Sequence, residues 1–288
     1  MSKMITGLAE IDPYNPLVVL EGSKIIEEVR ESIVGSGSDR RLERTAVVAS
    51  TTEGGSIKRR PMDVSWLAGA SEAYNISADV RDYIFVNVPI VTADFPNRNM
   101  DCFTYEELTT FSPVLGRFVY GSFKAKPMHL NHKNKNPLEA KGVHFDATLR
   151  KYKVWPGKQG YQSNNTQPRE LWKVRVMLGA CRQKDPKVAQ SILDKKRTGY
   201  SMGAWIDHAF CSVCHNDNMR QKCTHRQRGK GSISADGRLV YDCVAGVNFF
   251  ETSVLDEEPA DPDAWAPDGV WAPHLQPNIW ASSLEAVL

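Results

Sequence analysis

Asp185-Pro-Lys-Val-Ala-Gln-Ser-Ile-Leu-Asp-Lys-Lys-Arg-Thr-Gly199 runs straight into Tyr200-Ser-Met-Gly-Ala204, and this junction decides the fold. Asp185 is a capping residue type and Pro186 suits a first helical position. Three basic residues favour the negative end of the helix dipole, and Gly199 can take a left-handed stop. The helix so delimited delivers Ser201 to the start of a strand. Just upstream, Leu171–Leu178 alternates, with Val174, Val176 and Leu178 on one face and Lys173 and Arg175 on the other. Strand, helix and serine-bearing strand give an α+β protein with a largely antiparallel sheet.

Outward from this junction, Asp82-Tyr-Ile-Phe-Val-Asn-Val-Pro-Ile-Val91 is rich in the β-branched and aromatic residues of a buried strand. Asp94–Asp101 reads as a turn, and Thr104-Tyr-Glu-Glu-Leu108 opens a short helix with a capping-box pattern. Trp155–Pro168 is a polar, hairpin-like loop. Residues 1–80 differ in character. Ile25, Ile26, Val29 and Ile33 recur at helical spacing and predict a helix over Gly22–Ile33, whereas Thr45–Ala49 is strand-like. Gly35–Arg41 and Ser50–Ser56 are flexible by composition. The organisation expected is an N-terminal segment 1–80, partly flexible and a candidate propeptide, a main domain 81–265 with an insertion at 205–245, and a C-terminal tail 266–288.

A chain of 288 residues can bury a substantial core. Its net charge of +2 argues against a dedicated nucleic-acid binder, so the basic cluster Arg220, Lys222, Arg226, Arg228 and Lys230 reads as a solvated face. No run approaches the roughly 20 apolar residues of a membrane helix, and the N-terminus lacks the apolar core of a secretory signal. Four of the six cysteines fall between 211 and 243, which points to a metal site in a reducing compartment and hence to a cytoplasmic protein.

Two features carry chemistry. A serine hydroxyl becomes a useful nucleophile when a base takes its proton, so Ser201 with a histidine is a minimal hydrolytic unit. His129, His132 and His144 are the nearby bases. In a strand His129 points away from His132, and the alternation in Gly142–Ala147 turns His144 away from Val143 and Phe145. Gly203 leaves room for a substrate backbone beside the serine. A third residue orients the imidazole in such units, and three readings stand open: Glu251, set among Phe249, Phe250 and a β-branched run that favours a cationic partner; Asp146; or no acid at all. The second feature is Cys211-x2-Cys214-x8-Cys223-x-His225, a four-ligand set for a closed, structural zinc site that staples a polar loop too small for its own core. His215 and Cys243 stand in reserve as ligands.

Pro127-x3-Asn131-His132, then Gly142-Val-His-Phe-Asp-Ala147, a helix, Gly199-Tyr-Ser-Met-Gly203 and Phe249-Phe-Glu-Thr-Ser-Val254 occur in the order seen in prohead (capsid maturation) proteases of tailed phages. The chain resembles that family over about Val86–Ala264, in its large-myophage form with a Cys/His insertion. The resemblance implies a herpesvirus-protease-like β-barrel flanked by helices. It also implies serine endopeptidase activity with Ser201 as nucleophile, His132 as base and Glu251 as third member, and autocleavage after glutamate, for which Leu8-Ala-Glu10 and Ser283-Leu-Glu285 are candidate sites. The implied substrates are scaffold and major capsid proteins inside the assembling prohead, and homo-oligomers are compatible with it. An inactive, zinc-stapled virion protein and a zinc-ribbon nucleic-acid module are the competing expectations.

Overall fold

The computed structural model describes residues 64–154, 169–265 and 270–272, together with the backbone of five strands before them. The chain divides into two units, 1–63 with 278–288, and Val64–Pro277.

In the first unit β1 (Glu10–Asp12), β2 (Asn15–Glu21) and β5 (Lys58–Pro61) form one sheet, and β3 (Ile26–Val34) pairs with β4 (Arg41–Ala49) in another. From Ile26 onward, the helix expected over Gly22–Ile33 is therefore a strand; Gly22–Ile25 lie outside the described residues. Its apolar spacing fits either structure, and β4 supplies a ladder partner for every residue from Ile26 to Val34. The strand expected at Thr45–Ala49 lies within β4. Both segments read as flexible fall outside the described residues, apart from Arg41 at the start of β4, and so do the 155–168 loop and nearly all of the C-terminal tail.

The second unit opens with α1 (Leu67–Tyr74), ahead of the strand at which sequence alone started the domain. Its elements in chain order are β6 (Tyr83–Thr92), β7 (Asp101–Phe103), α2 (Tyr105–Leu108), β8 (Phe111–Ser112), β9 (Arg117–Phe118), β10 (Pro127–Leu130), β11 (Gly142–Val154) and β12 (Arg169–Cys181). They continue with α3 (Pro186–Leu193), β13 (Gly199–Trp205), β14 (His208–Cys211), α4 (Thr224–Arg228), β15 (Asp242–Ala245), β16 (Asn248–Leu255) and β17 (Val270–Trp271). The main sheet is ordered β13-β16-β10-β11-β12-β6-β17. It is curled and mostly antiparallel, the exception being the parallel pair β10–β16. The fold is α+β, as the sequence indicated.

Period-2 alternation sorts the two faces. Ile84, Val86 and Val88 of β6 and Val174, Val176 and Leu178 of β12 enter one core, with Val188, Ala189 and Ile192 of α3 packed into it. On the other face Tyr83 and Phe85 meet Phe145 edge-on, at ring centroids 5.2 and 4.8 Å away, and Trp66 ahead of α1 closes on Phe145 at 5.3 Å. Each fully buried aromatic of this kind contributes about 1.5–3 kcal/mol.

The helix punctuation around α3 holds at one end only. Asp185 accepts from the Val188 N–H at 3.0 Å, with Pro186 at the first position. The helix stops early, at Asp194, and Lys195 takes the left-handed conformation at φ 57°. Gly199 instead begins β13, where a Cβ would lie 3.1 Å from the Glu257 carbonyl oxygen. Its small size serves a close approach of two backbones rather than a helix stop. In α2 the Thr104 hydroxyl caps the Glu107 N–H at 3.1 Å, while the Glu107 carboxylate accepts from the Val247 N–H at 2.8 Å instead of completing a capping box.

Candidate active site and metal cluster

β13 is an edge strand, with β16 between it and β10. Ser201, Ser253 and His129 are successive register partners across these three strands, and Gly203 is the partner of Glu251. Directly paired residues share a face of the sheet. The face opposite Tyr200, Thr252 and Val254 thus carries a row of polar groups, nearly all inaccessible: Ser201 is 9% exposed, His129 1%, and Glu251 and Ser253 0%.

His132 joins this row by leaving the strand. Leu130-Asn131-His132-Lys133 is a tight turn closed by Lys133 N–H donating to the Leu130 carbonyl at 3.0 Å, with φ of 49° at Asn131 and 55° at His132. Asparagine and histidine are among the non-glycine residues that most often enter the left-handed region, and two in succession persist where surrounding bonds fix them. Those bonds are present. Asn131 N–H donates to the Val254 carbonyl at 3.0 Å, its amide donates to Asp256 at 2.7 Å, and its side-chain oxygen accepts from the Asp256 N–H at 2.9 Å. Arg197 holds Asp256 from the other side at 2.6 Å. The strand-alternation argument that separated His129 from His132 does not apply, because the turn returns His132 to the face that His129 already occupies.

The turn brings the His132 Nδ1 to 2.9 Å from Glu251 Oε1. The other carboxylate oxygen accepts from the Ser253 hydroxyl at 2.9 Å, and that hydroxyl accepts from the His132 N–H at 3.0 Å. The result is a closed ring of three residues around one buried carboxylate. A buried carboxylate is tolerable when it is paired and hydrogen-bonded. With Nδ1–H directed at Glu251, the lone pair of the neutral ring lies on Nε2. The side chain is 43% exposed, in contrast to the buried Glu251 beneath it. The hydrogen bond that His132 donates to Glu251 raises the His132 pKa above the ordinary histidine value, against the opposing effect of burial.

The other two histidines are placed differently. His144 is fully buried, with Nδ1 2.8 Å from the Lys126 carbonyl and Nε2 2.8 Å from the Thr252 hydroxyl, and burial pushes its pKa down to about 4. It is a core residue. Burial lowers the His129 pKa, and its Nδ1 has no hydrogen-bond partner among the described residues. Asp146, the other acid considered, lies in β11 opposite Met177; the carboxylate on His132 is Glu251. Ser201 stands one strand from Ser253, and among the described residues no hydrogen bond joins it to His132. Gly203 serves the site otherwise than expected: a Cβ there would lie 2.7 Å from both Glu251 Oε1 and the Phe250 ring, so its bareness makes room for the carboxylate rather than for a substrate. Ser253 and Asp256 were given no role from the sequence, and Asn131 was noted only as part of the motif around His132. Their residue types are unremarkable, and only Asn131, in the Asn-His pair, carried a hint.

β14, β15 and β7 form a second, three-stranded sheet. Cys211 ends β14, and Cys214, Cys223 and His225 approach it in the segment that leads to β15. Their ligand atoms all lie within 4.8 Å of one another, with Cys211 Sγ 3.9 Å from His225 Nδ1. The sulfurs are already oriented: Cys211 accepts from the Val213 N–H and Cys223 from the Arg226 N–H, both at 3.4 Å. Burial works against ionisation of Cys223, yet the Arg226 N–H and the neighbouring sulfurs hold its pKa below the usual thiol value. Val213 and Val240 pack with Cys211 as a miniature core. The four residues fit a metal ion. Cys243, held in reserve as a ligand, is elsewhere, opposite Cys102 in β7. The nearby basic residues are largely neutralised: Arg226 and Lys230 reach Asp242 at 3.0 and 3.8 Å, and Arg220 reaches Asp217 at 3.4 Å.

Compared with known proteins, the chain matches no family model, no curated protein and no solved structure. No helix among the described residues is long and apolar enough to cross a membrane.

Proposed function

We propose that this chain is a serine endopeptidase of the prohead-protease type, with a herpesvirus-protease-like sheet and a structural zinc in the Cys211, Cys214, Cys223 and His225 cluster. The observation that carries the reading is the His132–Glu251 pair on the face of the sheet that also bears Ser201. In the reaction Ser201 Oγ attacks the peptide carbonyl while His132 Nε2 takes its proton. His132 then returns that proton to the leaving amine, and Glu251 stabilises the imidazolium between the two steps. The substrates are scaffold and capsid proteins of an assembling phage head, and the chain cuts itself after Glu10 or Glu285. Glu10 begins β1, and Ser283–Glu285 lies outside the described residues.

A fluorophosphonate probe tests the nucleophile directly. Wild-type protein is expected to be labelled at Ser201, and Ser201→Ala and His132→Ala are expected not to be. Folded wild-type protein that takes up no probe would overturn the assignment. A second reading, a zinc-stapled structural protein without catalysis, draws on the 9% exposure of Ser201 and the lack of a hydrogen bond from it to His132. Hydrolytic sites often tighten only when substrate is bound, and the labelling result separates the two readings.

A further inference from the structure

Cys102 and Cys243 are direct register partners across the parallel pair β7–β15, so both side chains leave the same face of that ladder. Adjacent strands lie about 4.7–4.9 Å apart, inside the roughly 4.4–6.8 Å of Cα separation that a disulfide spans. Both are free thiols; Cys102 is buried and Cys243 is partly accessible. The two sulfurs dominate each other's ionisation. The Cys102 thiol lowers the Cys243 pKa to about 7, and the interaction raises that of Cys102. A partly exposed thiolate beside a buried thiol is the arrangement of an attacking and a resolving cysteine. Neither belongs to the metal cluster.

We infer that Cys102 and Cys243 form a reversible thiol–disulfide couple, closed by hydroperoxides and opened by thiol reductants. The Cys243 thiolate attacks the terminal peroxide oxygen. The O–O bond breaks, Cys243 becomes a sulfenic acid, and the departing alkoxide or hydroxide takes up a proton. The Cys102 sulfur then displaces the sulfenic oxygen, which leaves as water with the Cys102 proton. Two thiols are thereby oxidised to one disulfide, and the peroxide is reduced to an alcohol, or to water, plus one water. Asp101 and Phe103 of β7 and Val244 of β15, which alternate with the two cysteines, wall a cavity of ≈ 190 Å³ that also reaches Ser201. The cysteines leave the other face of that ladder, where the disulfide ties β7 to β15.

The test uses the full chain loaded with zinc, so that the cluster thiols are occupied, and treated with hydrogen peroxide. The protein is then alkylated under denaturing conditions and peptide-mapped. A peptide joining Cys102 to Cys243 is expected, with a mass loss of two hydrogens, two fewer alkylated thiols, and full recovery after dithiothreitol. In Cys102→Ser the cross-link is expected to vanish and Cys243 to be trapped by dimedone as sulfenic acid. Oxidation of Cys243 in wild type without the cross-link, or cross-links only among the cluster cysteines, would overturn the inference. The wild-type map decides by itself if the variant does not fold, and it is independent of whether Ser201 is a nucleophile.

Discussion

His132 Nδ1 lies 2.9 Å from Glu251 Oε1, and the same carboxylate is tied back to the His132 backbone through the Ser253 hydroxyl. One buried acid therefore fixes both the ring and the turn that carries it. This leaves the Nε2 lone pair of the neutral ring for the proposed proton transfer.

If Ser201 and His132 act as one unit, alanine at either position is expected to remove nearly all peptide hydrolysis. The double variant should be little worse than either single one. Losses that multiply in a kinetic double-mutant cycle would show two independent residues.

The pH profile follows from the raised His132 pKa. The base works when neutral, so kcat/KM should climb through a pKa above about 6.5. Glu251→Gln removes the charge that favours imidazolium and should shift this limb to lower pH as well as lowering the rate. For stability the sign is opposite. The gain from the pair is full below the unfolded-state value and is lost as pH rises through the folded one. A limb unmoved in Glu251→Gln would mean that the acid does not act on His132.

Ser253→Ala opens the ring while leaving the side chains of the proposed nucleophile and base in place. It removes two hydrogen bonds, one to the Glu251 carboxylate and one from the His132 N–H; a resulting loss of about 1–1.5 kcal/mol in positioning predicts roughly a tenfold fall in kcat with KM little changed. The His132 pKa, read by NMR, should move as well. A fall in thermal stability alone, with unchanged kcat and pKa, would make Ser253 purely structural.

Gly203→Ala places a methyl group 2.7 Å from the Glu251 carboxylate and the Phe250 ring. Strand backbone tolerates alanine, so the expected damage is displacement of the acid. Activity should fall while unfolding shifts by about 1–3 kcal/mol. Wild-type activity in this variant would show that the carboxylate position is not critical.

His144 gives a test separate from catalysis. It is buried neutral with a pKa near 4, so the unfolded chain binds its proton first as pH falls. Stability should therefore drop between about pH 6.5 and about pH 4, by on the order of 3 kcal/mol from this residue. Denaturant titrations of wild type and His144→Gln across that window should differ in slope. Parallel curves would refute the assignment.

For the cluster, elemental analysis of protein purified without chelator is expected to give one zinc per chain. Chelation should lower the melting temperature without entering the bond-breaking step. Metal-free protein with full stability would end the idea of a staple.

The sequence by itself determined the start of α3, the alternation of β12 and the four clustered residues that could hold a metal ion. Asp185 with Pro186, the alternation after Leu171, and Cys-x2-Cys-x8-Cys-x-His each act over a few residues, where neighbours along the chain supply the geometry. It could not choose strand over helix for Ile26–Val34, because the same apolar spacing suits both and the deciding ladder comes from β4. Nor could it show why His132 rather than His129 meets Glu251. That depends on a left-handed turn held by Val254, Ser253 and Asp256, more than a hundred residues away in sequence. Gly199 and Gly203 make the same point. Their sequence context suggested a helix stop and a substrate path, while their roles come from a carbonyl in the bend after β16 and a carboxylate of β16 brought against them. Hydrogen bonds across strands and the exclusion of a single methyl group are properties of what lies opposite a residue, and only the tertiary structure decides that.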